Sequence, residues 1–598
     1  MPISEHCFLY RDTCNVYLLR AGREGILIDF GTGGILDELP LLQIDRVSDV
    51  LITHHHRDQL QGLHRAVEAG IRVWVPAAEQ DLVHSVDAHW QAREVVNSYN
   101  NRQDRFSLLE PVPISGALRD YSTFSWAGGS LRVEPTPGHT VGSITLLAEL
   151  DGRRLAFSGD LIAAPGRVWS LAATQWTYNG AEGVAASIAS LLNLREKPLD
   201  RLLPSHGEVM VSPGEAIDLT VERLSRLLDL RREHRALFEL RARPYEALSP
   251  HLLRNRTSVA ASYVLLSDRG RALLIDFGYD FSTGLAPASD RASRRPWLCT
   301  LPVLARDFGV DRIDAVIPTH YHDDHVAGFN LLREVEGAAV WAPESFADVL
   351  ENPERYDLPC LWYDPIPVDR RLPLQTPIEW EGYSLRLHHQ PGHTRYAVAI
   401  EVEVDGARVL IVGDQMGDRD GLGLNYVYHN GFEVADYGAS ADLYARLAPQ
   451  LVLTGHWEPI RPDRSYLAAL ASRGEALEAA HRELLAAGSL ELGSDGPAAT
   501  IRPYRVQARA GRAFEVTVEV RNPGPHPEEV RVKLVTPRGW PVQPGEAVRF
   551  CAPGERATFQ FRVAAPARIA LRRARLAADV RVGSRRLGQL AEALVTVA

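Results

Sequence analysis

Apolar and polar positions along the chain fall into three textures. At residues 17–33, "YLLRAGREGILIDFGTG" sets two β-rich runs on either side of a Gly-containing turn, the pattern of a hairpin. At 263–280, "YVLLSDRGRALLIDFGYD" repeats it, and both copies end in Asp-Phe-Gly, at Asp29 and Asp276. Leu, Arg and Glu recur at three- and four-residue steps around 213–242 and again around 466–487, which predicts a closing helix for each copy. Beyond "GSLELGSDGPAAT" the pattern changes. "AFEVTVEVRNPGP", "EEVRVKLVTPRGW" and "RATFQFRVAAPA" alternate apolar and polar residues between Pro and Gly, which predicts short strands in a β-sandwich.

The repetition runs past the hairpins. "PTPGHT" at 135–140 returns as "QPGHT" at 390–394, "LAFSGD" at 155–160 as "VLIVGD" at 409–414, and "LLPSHGE" as "LVLTGHWE", which sets His206 opposite His456. His139 to Asp160 and His393 to Asp414 are both 21 residues apart. A chain of 598 residues is too long for one hydrophobic core. It is read as an α+β protein of three domains: tandem copies at 1–245 and 246–497, then an all-β domain at 498–598.

Composition adds compartment and partners. No apolar run reaches the ~20 residues that span a bilayer, and "MPISEHCFLYRDTC" lacks the basic-then-apolar order of a secretory signal. The five cysteines (Cys7, Cys14, Cys299, Cys360, Cys551) are scattered and form no CxxC, so a reduced, cytoplasmic setting without membrane attachment is expected. The net charge of −11 divides unevenly: from Ala498 onward 18 Lys+Arg face 8 Asp+Glu, +10 for the tail and −21 for the rest. The expectation is that the basic tail docks on the acidic body rather than on an acidic partner.

The candidate chemistry lies in "THYHDDH" at 319–325 and "THHHRDQ" at 53–59. His320, His322, Asp324 and His325 follow "DRIDAVIPT", a strand leaving a sheet. Two histidines one residue apart on an extended segment point the same way, and the following turn carries Asp324 and His325 to the other side of the same cavity. Imidazole and carboxylate are ligands that zinc, iron and manganese accept. His393, Asp414 and His456, each after a strand and beside Gly or Pro, can complete the set. The first copy keeps His54, His56, Asp58, His139, Asp160 and His206 but has Gln59 where the second has His325. His55 and Tyr321 fill spacer slots that face away. His388 and His389 read as strand-end residues, and "GTGG" at 31–34 as a turn after a strand rather than a phosphate cradle. No GxSxG is present, which disfavours a serine hydrolase.

The ordered series HxHxDH, GHT, GD and GH, each at a strand end, resembles the metallo-β-lactamase superfamily, and within it the glyoxalase II-like hydrolases, over about residues 1–490. The resemblance implies αββα sandwiches with metals at one sheet edge, and leaves the tail, read as immunoglobulin-like, unaccounted for. It implies that His320, His322 and His393 hold one metal and that Asp324, His325 and His456 hold a second, with Asp414 bridging and Asp276 orienting a ligand from behind. In the first copy, Asp29 stands where Asp276 does, and an amide oxygen of Gln59 would bind zinc more weakly than imidazole. Two Zn2+ are therefore expected in the second copy and one in the first, with a weak or absent second ion there; iron and manganese are the alternatives. The implied reaction is hydrolysis by a metal-bound hydroxide, with Asp324, and Asp58 in the first copy, as proton carriers. Asp414 stands where β-lactamases of the family usually carry Cys or Ser, which disfavours β-lactams. The acidic body disfavours long nucleic acids.

A small ester, thioester or lactone is the substrate expected, chosen by loops carrying Trp176, Tyr178, Tyr426 and Tyr428. The insertion at 281–300 is a lid or a loop. The other readings kept are a phosphodiesterase or nuclease, a mononuclear iron persulfide dioxygenase, and a non-catalytic scaffold whose copies pair as a pseudo-dimer. A homo-oligomer is a further expectation.

Overall fold

The computed structural model describes residues 1–92, 106–170, 183–231, 234–281, 291–484, 498–568 and 570–597. Trp176, Tyr178 and the 282–290 part of the insertion lie outside the described residues.

Each repeat is built on two large sheets, with a further two-stranded sheet, Met416–Gly417 and Gly423–Leu424, in the second. The first repeat has six strands in chain order, from Cys7–Arg11 to Gly116–Leu118, and five strands between Thr123–Trp126 and Arg201–Pro204. The second has a seven-stranded sheet from Tyr245–Ser249 to Arg370–Leu372 and a five-stranded one from Ile378–Trp380 to Leu451–Thr454. Both are mixed. Asn15–Ala21 pairs antiparallel with Glu24–Ile28, which then pairs parallel with Arg46–Leu51. The second repeat copies this with Tyr263–Leu266, Arg271–Ile275 and Arg312–Ile317.

The strands are apolar on both faces because each face is covered. Tyr17, Leu19, Ile26 and Ile28 meet Leu131, Val133, Ile144 and Phe157 of the other sheet in the layer between them. Leu18, Leu27 and Val50 point the other way, onto Leu60, Leu63 and Ala66 of the outer helices. Across the molecule, Ala156 and Leu202 pack on Ile188, Leu191, Ile217 and Leu224 from the helices Val184–Arg195 and Pro213–Arg231. This is the expected helix–sheet–sheet–helix order. Near-continuous runs such as "GILI" follow directly from it, since a strand buried on both sides has no polar face.

The tail is an all-β module of a four-stranded and a five-stranded sheet. Its alternation is a one-faced burial pattern: Val516, Val518 and Val520 enter the core, whereas Thr517 and Glu519 do not. Its arginines do not dock it by charge alone. Arg531, Arg556 and Arg586 pair with acids of the same module. The contact with the second repeat includes the Arg502 guanidinium 5.1 Å above the Tyr356 ring and a hydrogen bond from Tyr504 N to Arg355 O. All five cysteines are free, and no described helix is long and apolar enough to cross a membrane.

Candidate metal centre

In the second repeat the strand Arg312–Ile317 is followed by a bend at Thr319 and His320, and His322 is extended again before the short helix Asp323–Val326. Asp276, at the end of the neighbouring strand, holds that exit. It adopts φ 58°, costly for a residue with a side chain. In that pose its carboxylate accepts from Thr319 N (2.7 Å), Thr319 Oγ1 (2.8 Å) and His325 Nδ1 (2.8 Å). Close approach is needed from the other sheet as well. Gly413 has φ 54°, and a Cβ there would lie 2.6 Å from Thr319 Oγ1.

The hydrogen bonds decide which ring nitrogens face inward. Thr319 Oγ1 gives its proton to Asp276, so it accepts from His320 Nδ1 (3.1 Å), and His320 Nε2 is left buried with no partner. His322 Nε2 reaches Asn430 Oδ1 (3.2 Å), and His393 Nδ1 reaches Asn425 O (2.9 Å). The remaining nitrogens, His322 Nδ1 and His393 Nε2, face each other at 3.1 Å. His456 Nδ1 is held by Val259 O (3.0 Å), which directs Nε2 to Asp414 Oδ2 (3.0 Å) and Asp324 Oδ2 (3.2 Å). His325 Nε2 and Asp414 Oδ1, 3.2 Å apart, likewise lack a hydrogen-bonded partner.

An unsatisfied buried polar atom costs about 1–3 kcal/mol, so His320 Nε2 beside the His325–Asp414 pair marks a place that could hold a ligand. Two overlapping groups have donor atoms within 4.8 Å of one another: His320, His322, His393 and Asp414, and Asp324, His325, Asp414 and His456. They share Asp414. Burial pushes His320 well below its ordinary range, and burial with His393 nearby pushes His322 down to about 4, so both rings are neutral and offer lone pairs. Burial opposes the charge of Asp414, but His325 and His456 outweigh it and hold the carboxyl well below its usual range. An all-nitrogen and oxygen donor set of this kind fits a divalent transition metal.

The first repeat differs at three connected positions. His54 Nε2 is again buried without a partner, and His56 Nδ1 faces His139 Nε2 at 3.0 Å; these three form the cluster. Burial pushes His54 down to about 3. The second half of the site is closed instead. Gln59 is fully buried, and its amide nitrogen lies 3.3 Å from Asp160 Oδ2 and 3.4 Å from Asp58 Oδ2; with the amide turned, the nitrogen reaches Asp58 Oδ1 at 2.7 Å. In this arrangement the amide nitrogen is a donor to carboxylates.

His206 is also reoriented. It turns Nδ1 to Asp160 (2.8 Å) and Nε2 to Thr13 O (3.1 Å), beneath Trp169 stacked at 4.0 Å. Burial works against its charge, but Asp160 and Asp58 raise it to about 10. Asp29, at φ 55°, receives Thr53 N and Oγ1 as Asp276 does, but Ser205 Oγ occupies the place of the missing imidazole.

The model of the metallo-beta-lactamase superfamily matches residues 9–206 and again 256–456, more than half of the chain. The chain belongs to that superfamily. Residues 508–582 match the NPCBM-associated NEW3 domain of alpha-galactosidase. A hydroxyacylglutathione hydrolase of Aeromonas salmonicida is 31% identical over 119 residues, 19% of this chain and 38% of its own length. An atrochrysone carboxyl ACP thioesterase of Aspergillus fumigatus is 23% identical over 217 residues, 36% of this chain and 56% of its own. The chain therefore spans less than two thirds of these curated relatives. Among solved structures, the FEZ-1 metallo-beta-lactamase of Legionella gormanii is 17% identical, covering 39% of this chain and 95% of its own, with a TM-score of 0.31.

Within this metallo-beta-lactamase frame, several expected non-ligands lie away from the clusters. His55 Nδ1 pairs with buried Glu79 (3.0 Å), His388 with Glu401 (2.9 Å), and His389 with Arg395 O (2.9 Å). The amides of Thr32 and Gly34 are capped by Asp12, so "GTGG" is a turn. Tyr426 packs on Phe432 and His481, and Tyr428 lines a cleft of about 400 Å³ against the tail. Their loop reaches the cluster through other residues. Asn425 Nδ2 donates to Asp414 O (3.1 Å), and Asn430 takes Tyr321 Oη (2.7 Å) and His322 on its oxygen while giving its Nδ2 to His393 O (2.9 Å). Sequence reasoning passed over both asparagines. The shared "NG" of "WTYNG" and "YVYHNG" was the available signal for Asn430.

Proposed function

We propose that the second repeat is a metal-dependent hydrolase of a small ester, thioester or lactone, and that the first repeat keeps one metal. The observation that carries this is the convergence of His320 Nε2, buried without a hydrogen-bond partner, with the facing His325 Nε2 and Asp414 Oδ1 in two groups that share one aspartate. His320, His322, His393 and Asp414 would hold one ion, and Asp324, His325, Asp414 and His456 another. Divalent ions there would polarise a carbonyl oxygen and lower the pKa of a water toward neutrality.

The chain supplies the rest. Asp276 and Thr319 fix the rings from behind, and the buried side of the cluster excludes bulk water. Asp324 and His456, with side chains 17% and 27% exposed, mark the open side from which substrate would approach. In this reading Asp324 would take up a proton and pass it to a leaving alkoxide or thiolate. The names of two relatives, a thioesterase and a hydroxyacylglutathione hydrolase, support an acyl substrate.

The test is a panel of esters, thioesters, lactones and phosphodiesters on protein loaded with zinc, manganese or iron. Turnover of an acyl substrate is expected, abolished by His320→Ala/His322→Ala and retained by His54→Ala/His56→Ala. Absence of any turnover with metal bound would refute the reading, and oxygen uptake with iron would replace it.

A further inference from the structure

Besides ion pairs such as Arg119–Glu334, the two repeats meet at residues 295–298, in the described part of the insertion that the first repeat lacks. Arg295 is buried there, its side chain 7% exposed, and four of its hydrogen bonds go to the first repeat. Nε and Nη2 fork onto Asp120 (2.6 and 2.5 Å), and Nη1 donates to Val141 O (2.9 Å) and Ser143 O (3.2 Å). These two carbonyls flank Gly142 on the loop that carries His139.

That loop is braced within its own repeat by Thr136 N on Ser143 O (3.0 Å), Thr140 N on Ser143 Oγ (3.2 Å) and Ile144 N on Thr53 O (3.0 Å). Its near side is tied to the helix Val184–Arg195 by Ser190 Oγ to Pro137 O (2.6 Å) and by Gly183 N to Gly138 O (2.8 Å). Its far side, after His139, rests on Glu79 through Gly142 N (2.9 Å) and on Arg295. The matching loop of the second repeat is held from within its own repeat, by Asn430 Nδ2 on His393 O and by Arg395 N on Asn430 O. The segment bearing Arg295 is itself fixed at both ends. Leu298 N donates to Tyr121 Oη (3.2 Å), and Arg294 forms an ion pair with Asp323, the neighbour of Asp324.

We propose that Arg295, a residue of the second repeat, is a positioning residue for the metal site of the first: its guanidinium fork sets the Val141–Ser143 carbonyls and, through them, the reach of His139 toward His54 and His56. The first site is then complete only when the second repeat is folded against it. The inference rests on reading His54, His56 and His139 as metal ligands.

The test is Zn2+ titration against a competing chelator on five versions of the 598-residue chain: wild type, Arg295→Ala, Arg295→Lys, His54→Ala/His56→Ala, and the last combined with Arg295→Ala. His54→Ala/His56→Ala is expected to lose one equivalent. Arg295→Ala is expected to weaken that same equivalent by roughly 10- to 100-fold, as loss of an outer support does at a metal site. It should change nothing further in the His54→Ala/His56→Ala background. Arg295→Lys, which keeps the charge opposite Asp120 but not the planar fork, should show an intermediate loss, and it carries the test if the alanine variant does not fold. Wild-type affinity at the first equivalent, or equal weakening of every equivalent, overturns the role of Arg295. If His54→Ala/His56→Ala loses no equivalent, the metal reading of the first repeat fails and the inference with it.

Discussion

The first repeat should regain its second metal only if two positions change together. In the second repeat His325 Nδ1 donates to Asp276 Oδ2 at 2.8 Å, and Gly455 leaves room for the ring: a Cβ there would lie 3.0 Å from His325 Cε1 and 1.8 Å from Asp414 Oδ1. In the first repeat the Gly455 position is Ser205, whose hydroxyl already donates to Asp29. Backbone bonds confirm the equivalence, since Ser205 N reaches Gly159 O at 2.8 Å and Gly455 N reaches Gly413 O at 2.7 Å.

Gln59→His alone would push the imidazole against Ser205, an overpacking worth about 1–3 kcal/mol, and would compete for a carboxylate oxygen already taken. Adding Ser205→Gly removes both obstacles and frees an acceptor whose charged hydrogen bond is worth about 1.5–3 kcal/mol. The pair should therefore couple by about 1–3 kcal/mol in favour of the double variant, measured by urea unfolding followed by circular dichroism. Metal analysis should find one more ion per chain in the double variant than in wild type, and no gain in Gln59→His. Stabilities that add within about 0.5 kcal/mol, or a single variant that binds the extra ion as well as the double, would refute the reasoning.

Asp276→Asn keeps shape but cannot accept from both Thr319 and His325 as an anion, so zinc affinity of the second repeat should fall roughly 10- to 100-fold in chelator competition; unchanged affinity would remove Asp276 from the site. Asn430→Ala should lower it by a similar factor, roughly 10-fold or more, by releasing the His322 and His393 rings, and should leave the first repeat's equivalent untouched. Metal removal should destabilise the chain, because an ion at 1,000-fold over its Kd contributes about 4 kcal/mol to the folded state; scanning calorimetry before and after chelation checks this, and coincident transitions would contradict it. Glu79→Ala strips His55 N (2.9 Å), His55 Nδ1 (3.0 Å) and Gly142 N (2.9 Å) of their buried acceptor. A loss of about 3–5 kcal/mol is expected, and a melting temperature equal to wild type would show that the pair is not structural.

The periodic features were legible along the chain because they are local. Alternation in "EVTVEV" and continuous runs such as "LLI" report how many faces of a strand are covered, and the HxHxDH spacing places its histidines on one side of an extended segment whatever surrounds it. The recurrence of "PGHT", "GD" and "SHGE" or "GHWE" at similar spacing marks distant candidate ligands as one set from the chain alone.

Other properties depended on partners far away in sequence. Gln59 read as a weakened ligand, but in three dimensions it is a donor between Asp58 and Asp160, because Ser205, 146 positions later, fills the space an imidazole needs. Arg295 carries no motif, and Asn430 only the "NG" shared with the first repeat; their roles come from the carbonyls and rings that packing sets beside them. Strand periodicity and ligand spacing follow from the backbone alone, whereas the number of open metal sites follows from which polar atoms remain unpaired after the sheets, loops and the other repeat have closed around them.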